Sequence, residues 1–266
     1  MKHALDGNRE ERDIRIKKLH KGKVTIPFEL INNLIVVPVK LNNSDELKFI
    51  LDTGAGQTVI TELGSDQSFN IRYQSNIKIS GLGVTGSIEA LLSNGNEIFM
   101  DGIEGEAHTV VFILEGRFNL SYYMGTQING LLGYDIFENF IVEVDYERKR
   151  LYLHDPDVFE KEYHRKKNDK SWTYIPAYIF KNKLYIDVDI TQNDNSTIKA
   201  RLLVDSGASS SVFLYPNERK EVIIPTNAIE SYLGTGLSGE IHGLIGRVKK
   251  LKIGETEINN PHYCVS

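Results

Sequence analysis

Apolar and polar residues alternate along much of the chain with the two-residue period of β-strands. Clusters of Gly, Asn and Asp separate these segments and predict turns, one of them at Ser93–Asn96. A short helix is predicted at Tyr134–Asn139, just before a strand at Phe140–Val144. The pattern therefore predicts an all-β fold with short helices.

The same order of elements occurs twice, which indicates an internal duplication. One copy begins at Ile26–Leu34 and the other at Ile175–Leu184, and both start with Ile-Pro. In each copy an apolar strand leads into a polar hairpin, and a second apolar strand follows. The hairpins are Asn42–Asp45 and Gln192–Asn195, and the second strands are Lys48–Leu51 and Ala200–Val204.

Both of these second strands end in an acidic motif. It reads Asp-Thr-Gly-Ala at Asp52–Ala55 and Asp-Ser-Gly-Ala at Asp205–Ala208, and 205 − 52 = 153. Glycine-rich segments at 81–86 and 234–239 keep the same spacing, since 234 − 81 = 153. A single Asp-Thr/Ser-Gly motif is common by chance, but two motifs in one register are strong support for a functional pair.

One aspartate from each copy, placed at a pseudo-twofold axis, defines a specific chemistry. Two close carboxylates cannot both ionise cheaply, so Asp52 and Asp205 would share one proton. The ionised member can accept a proton from a water molecule, and the protonated member can donate to a substrate carbonyl. The sequence thus predicts Asp52 and Asp205 as catalytic residues that need no metal or cofactor.

Small neighbours make a close approach of the two acids feasible. Gly54 and Gly207 allow tight turns whose backbone amides can reach the carboxylates. The hydroxyls of Thr53 and Ser206 can bond across the axis and hold the two loops together against the repulsion of the acids. These four residues are predicted to support the catalytic loops.

These motifs resemble those of the pepsin/retropepsin superfamily of aspartic peptidases. Asp52–Thr58 and Asp205–Ser211 both fit its loop pattern, although Gly56 stands where a serine is more usual. Ile128–Gly133 looks like the family's apolar-apolar-Gly strand, and the predicted helix follows it. The chain is most similar to bacterial single-chain members built from two retropepsin-like halves. The resemblance implies two β-barrel lobes and an aspartic endopeptidase acting on peptides or proteins.

The resemblance also implies a β-hairpin flap over the substrate in each half, at the two glycine-rich segments. Glycines there would give mobile tips whose amides reach an extended peptide. Two ordinary turns are the simpler alternative, and a G-x-G-x-x-G dinucleotide site would require a helix at each segment. The predicted flap and substrate-binding residues are Gly81, Gly83, Val84, Thr85, Gly86, Gly234, Gly236 and Leu237.

The predicted organisation has four parts. Residues 1–25 form a charged arm, 26–155 the first lobe, 156–174 a charged connector, and 175–266 a second, truncated lobe. That lobe lacks a counterpart of Asn129–Leu153, which includes the apolar-apolar-Gly strand. We therefore expect an incompletely covered core and an unpaired sheet edge behind Asp205. The sequence is accordingly interpreted as a piece of a longer protein, with two alternatives for the chain as it stands: it is weakly active or inactive, or its second lobe borrows strands from another copy by self-association.

Composition and charge narrow the classes of protein to which the chain can belong. An apolar fraction of 41%, a charged fraction of 25% and a net charge of −5 are typical of a globular protein without a nucleic-acid footprint. Cys264 is the single cysteine, and the histidines show no metal-ligand spacing. No apolar run is long enough to span a membrane. No signal segment is visible, which leaves the compartment open between the cytoplasm and, after removal of an upstream signal, the periplasm or exterior. The alternative function is a non-catalytic peptide-binding module that uses the same cleft.

Overall fold

A computed structural model describes residues 14–16, 22–62, 73–80, 87–114, 119–166, 169, 171–216, 221–237 and 239–265. Within these ranges the chain is mainly β-strand, with three short helices. The strands form one large and one small sheet in the first half and two separate sheets in the second half.

The first half contains twelve strands and three helices among the described residues. They are β1 Ile14–Ile16, β2 Lys23–Pro27, β3 Glu29–Ile31, β4 Leu34–Leu41, β5 Leu47–Leu51, β6 Thr58–Ile60, β7 Tyr73–Ser80, β8 Ser87–Met100, β9 Ile103–Ile113, α1 Leu120–Met124, β10 Gly130–Leu132, α2 Tyr134–Asn139, β11 Ile141–Asp145, β12 Arg150–His154 and α3 Pro156–Lys166.

The large sheet of the first half has the order β1-β9-β6-β10-β5-β4-β8-β7, with β3 paired to β4. Strand β10 lies between β5 and β6, parallel to the first and antiparallel to the second. A small sheet of order β11-β12-β2 supplies Ile26, Leu151 and Leu153 to the main core, and each is at most 1% exposed. This cover explains why the alternating apolar residues of β4 and β5 are buried.

The second half is built from nine strands in the described ranges. One of its sheets contains β13, β14, β15, β19 and β20, and the other has the order β16-β21-β18-β17. Their bounds are β13 Ala177–Phe180, β14 Lys183–Thr191, β15 Thr197–Leu203, β16 Phe213–Leu214, β17 Ile229–Gly236, β18 Gly239–Arg247, β19 Lys250–Ile253, β20 Thr256–Asn259 and β21 His262–Val265.

The register of strand pairing shows the duplication directly. Ile98 of β8 pairs with Gly105 of β9, and Leu251 of β19 pairs with Ile258 of β20. Both partners are displaced by the same number, since 251 − 98 = 153 and 258 − 105 = 153. Similarly, β6 runs parallel to β9 as β16 runs parallel to β21. The two acidic motifs are therefore separated by the same number of residues as equivalent paired residues in the two halves.

The two halves differ behind the acidic motif. Among the described residues, no strand lies between β15 and β16 in the position that β10 takes between β5 and β6. Ile26 is 0% exposed, whereas Ile175, its counterpart in the second half, is 38% exposed. Phe49 is also fully buried, whereas its counterpart Leu202 is only partly buried. The expected incomplete cover is thus present in the described part of the second half, while the lobe boundaries remain a prediction.

The local predictions were confirmed at one element and wrong at another. Helix α2 has the predicted bounds. The turn predicted at Ser93–Asn96 is instead an irregularity inside the continuous strand β8. Gly95 takes a φ of +73°, and the Asn96 side-chain amide donates to the carbonyl oxygen of Ser93, so the chain bulges without reversing. Helix α3, within the predicted connector, was not predicted.

Candidate active site

Asp52 directly follows β5, Asp205 lies two residues after the end of β15, and the two loops face each other. The distance between the two loops can be judged from the atoms that a Cβ on the glycine of each motif would contact. A Cβ on Gly207 would lie 2.7 Å from Asp52 Oδ1, and one on Gly54 would lie 2.9 Å from Asp205 Oδ1. Each acid therefore lies against the glycine of the other loop, so the structure brings together the two acids that the sequence paired. A glycine follows the hydroxyl residue of each motif because a side chain there would collide with the opposite carboxylate.

Four hydrogen bonds brace the two loops in a twofold arrangement. The backbone N–H of Thr53 donates to Ser206 Oγ at 3.0 Å, and the N–H of Ser206 donates to Thr53 Oγ1 at 2.9 Å. The two hydroxyls then donate across the axis, Thr53 to the carbonyl oxygen of Val204 at 2.6 Å and Ser206 to that of Leu51 at 2.7 Å. The structure therefore contains the bracing that was predicted from the hydroxyl residues.

Backbone amides point at both carboxylates. Asp52 Oδ1 accepts hydrogen bonds from the N–H groups of Gly54 at 2.7 Å and Ala55 at 3.2 Å. Asp205 Oδ1 accepts one from the N–H of Gly207 at 2.9 Å. These donors orient both acids, and the Gly54 and Ala55 amides favour the charged form of Asp52.

Burial is nevertheless the dominant influence on the pKa of Asp52. Loss of hydration raises the pKa of Asp52 from its ordinary value to about 7, and the negative charge of Asp205 adds to the effect. The Gly54 and Ala55 amides oppose the rise in the pKa but do not cancel it. Below neutral pH the pair therefore holds one proton between its two carboxyl groups.

The second predicted flap is a hairpin that reaches the first half. Gly234 and Gly236 lie on β17, Leu237 lies in the turn, and Gly236 pairs with Gly239 of β18. Leu237 packs against an apolar cluster of the first half that contains Val36, Ile50, Val59 and Leu131.

An aromatic contact holds the same hairpin to the first half. Tyr232 of β17 stacks on Tyr123 of α1, with ring centroids 6.5 Å apart. Together with Leu237, this contact places the β17–β18 hairpin across the two halves.

The first predicted flap can be followed only in its arms. Strands β7 and β8 pair up to Ser80 and Ser87. The tip residues Gly81, Gly83, Val84, Thr85 and Gly86 lie outside the described residues. Each glycine-rich segment is followed by a strand, β8 or β18, and not by a helix. The dinucleotide alternative is therefore wrong at both positions.

Sequence reasoning missed a buried polar network beside the Asp52 loop. Thr58, Asp135 and His108 are bonded to one another there, and Thr58 and His108 are at most 1% exposed. Asp135 had a weak signal, because it is the first acidic residue after the apolar-apolar-Gly strand. His108 had none, since a lone histidine on an apolar strand is usually structural.

Duplicated β-rich halves with two facing Asp-Thr/Ser-Gly loops define the retropepsin-like class of aspartic proteases. A family model described as "Aspartyl protease" matches residues 37–136 and 186–266, which together cover more than half of the chain. The chain belongs to the aspartyl protease family, and its fold is all-β with retropepsin-like lobes. A search of curated proteins found no match.

The described ranges contain no group of three or more His, Cys, Asp or Glu side chains arranged to hold a metal ion. In the same part of the chain, none of the helices has the length and apolar character needed to cross a bilayer.

Proposed function

We propose that the protein is an aspartic endopeptidase in which Asp52 and Asp205 activate one water molecule. Membership of the aspartyl protease family supports a protease-type function, and the reciprocal approach of the two motifs is the observation that carries the proposal. The four bracing hydrogen bonds supply the preorganisation that such a site needs.

We infer the roles within the pair from the raised pKa of Asp52. With the proton on Asp52, Asp205 is the carboxylate that accepts a proton from water while the water oxygen attacks the peptide carbonyl carbon. Asp52 donates its proton to the carbonyl oxygen as the tetrahedral intermediate forms. Collapse of the intermediate breaks the C–N bond: the proton held by Asp205 passes to the leaving amine nitrogen, and one hydroxyl of the intermediate returns its proton to Asp52 as the carbonyl re-forms. The pair thus returns to its starting charge.

The substrate proposed is an extended peptide under the β17–β18 hairpin. Gly234 and Gly236 are half-buried on β17, and Gly234 has a φ of +139° that a side chain would strain. The absence of side chains at both positions favours backbone contact with a peptide. Tyr232 and Leu237 add apolar surface on the same hairpin, which favours apolar side chains in the substrate.

The direct test is cleavage of a mixed peptide library between acidic and neutral pH. We expect cleavage by the parent protein and none by Asp52→Asn or Asp205→Asn. Asp45→Asn, which removes an exposed carboxylate from the β4–β5 loop, is the matched control and should cleave like the parent. Cleavage that survives in both active-site variants would refute the assignment of the pair.

A peptide-binding module without turnover is the second candidate. The observation that favours it is the incomplete burial of Leu202, a residue of β15 three positions before Asp205. A loosely packed strand holds the catalytic group that follows it less rigidly. Capture of library peptides by the parent without cleavage, with both acids intact, would select this candidate.

The exposed apolar surface of the second half also supports a proposal of self-association. Ile175, Ile179 and Phe180 are 38%, 54% and 62% exposed, and they lie in one short segment, 175–180. Sedimentation of the parent should depend on protein concentration, and Phe180→Glu should abolish this dependence. Lys181→Glu, on the adjacent turn, is the charge control. A parent that sediments as a monomer at all concentrations would contradict self-association.

A further inference from the structure

The buried network beside the Asp52 loop converges on one oxygen of Asp135. Asp135 Oδ2 accepts hydrogen bonds from the Thr58 backbone N–H at 3.2 Å and from the Thr58 hydroxyl. His108 Nε2 lies 2.9 Å from the same oxygen and 3.2 Å from Thr58 Oγ1. Asp135 Oδ1 is buried without a hydrogen-bond partner. A carboxylate bonded through one oxygen in this way is held by a few directional contacts, and it fixes its partners in return.

His108 is itself fixed by a hydrogen bond from the neighbouring strand β8. Its backbone carbonyl accepts a hydrogen bond from the Asn96 amide at 3.1 Å, and the same amide donates to Ser93 O and Oγ, both at 3.0 Å. Asn96 is 1% exposed and Ser93 is fully buried, so these bonds are shielded from water. The bulge in β8 therefore supplies a rigid base for the imidazole on β9.

The network also connects to Asp52 through the backbone of its loop. Thr58 ends this loop, and the N–H of Tyr134, next to Asp135, donates to the carbonyl oxygen of Ala55 at 3.0 Å. The Ala55 N–H in turn donates to Asp52 Oδ1. The start of α2 thus holds the loop at two points, and one of them is the residue whose amide touches the carboxylate.

We propose that Thr58, Asp135 and His108 are positioning residues that hold the Asp52 loop in register with Asp205. The inference rests on the proposed function, because it assigns these residues to the peptidase site. In the described structure the two catalytic loops differ in this respect. Ser211, the counterpart of Thr58 at 153 residues along, is exposed, whereas Thr58 is 0% exposed. Loss of the network should therefore disturb Asp52 far more than Asp205.

Substitutions at Thr58 separate the hydroxyl from the shape of the side chain. Thr58→Val keeps the volume and removes the hydroxyl, and we expect kcat to fall about tenfold with KM unchanged, since a small displacement of a reacting group is costly. Thr58→Ser restores the hydroxyl and should return kcat to within about twofold of the parent. A structural role alone would instead leave Val, the better packed residue, closer to the parent than Ser.

His108 provides an independent arm of the test. His108→Gln keeps an N–H donor towards Asp135, whereas His108→Leu removes it, so Gln should retain more of the parent kcat than Leu. Glu138→Gln is the matched control, because Glu138 lines the same small cavity as His108 and Asp135 and has an exposed side chain. It should leave kcat and KM at the parent values.

A carbon-13 NMR titration of the Asp52 carboxyl group provides a readout that does not depend on cleavage. The Ala55 amide lowers the pKa of Asp52 against the opposing influence of burial and of Asp205, the titratable group that faces it. Thr58→Val should therefore move the Asp52 pKa upwards, and Thr58→Ser should not. If the parent cleaves peptides but Thr58→Val matches it in kcat and in this titration, the positioning inference fails and the peptidase proposal stands. If the parent cleaves nothing, the proposed function fails, and the titration still decides whether the network acts on Asp52.

Discussion

Replacing Asp52 by asparagine should stabilise the folded protein above neutral pH while removing its activity. Asparagine cannot ionise, its amide oxygen can still accept the Gly54 and Ala55 N–H groups, and its amino group can donate to Asp205. The parent, in contrast, must ionise a buried acid whose pKa is raised from 3.8 to about 7. At about 1.4 kcal/mol for each unit of pKa, this difference is worth about 4 kcal/mol.

The sign of the effect follows from the two states. The folded pKa of Asp52 lies above the unfolded one, so this group's contribution to stability is fully present below about pH 4 and is lost as the pH rises to about 7. The free energy of unfolding of Asp52→Asn minus that of the parent should therefore grow by about 4 kcal/mol over this window and then stay constant.

Urea unfolding followed by circular dichroism, at several values from about pH 4 to pH 8, measures this difference. Asp45→Asn controls for the removal of one negative charge from the surface and should show no such growth. A stability difference between Asp52→Asn and the parent that stays constant over the whole range would refute the reasoning, because it would mean that Asp52 ionises as easily in the fold as in the unfolded chain.

Three further substitutions test the site. Gly207→Ala should lower peptide cleavage by at least about a hundredfold, since its Cβ would meet Asp52 Oδ1 at 2.7 Å; activity near the parent level would show that the loops are further apart. Ser206→Ala leaves the Thr53 N–H without its acceptor and should lower the free energy of unfolding by about 2 kcal/mol, measured in urea; an unchanged midpoint would argue against the brace. Tyr232→Ala removes the stacking contact of the hairpin and should raise KM several-fold with a smaller change in kcat; equal KM values would separate this hairpin from substrate binding.

The features carried by repetition were predictable from the sequence. The period of two along the strands indicated a β fold, and the repeated Asp-Thr/Ser-Gly motif indicated which carboxylates would face each other. Helix α2 was also predictable, because Gly133 precedes it and a strand follows Asn139 closely. In each case the signal lies in neighbouring residues or in two copies of one segment.

Features that depend on distant partners were not predictable. The bulge at Ser93–Asn96 looks like a turn in the sequence, whereas in the structure hydrogen bonds within the segment and to His108 on the neighbouring strand help to keep it within β8. The stacking of Tyr232 on Tyr123 depends on how the two halves meet, which no local pattern encodes. The same holds for His108, whose role depends on an acid 27 residues further along, since 135 − 108 = 27.

Neutron diffraction from deuterated crystals of the parent at about pH 5.5 tests the central claim most directly, because deuterium positions reveal which carboxyl oxygens are protonated. We predict one deuteron shared by the pair and bound on the Asp52 side, with Asp205 ionised and both groups in contact with the same water. Two ionised carboxylates, or two side chains directed into separate regions of solvent, would contradict the account.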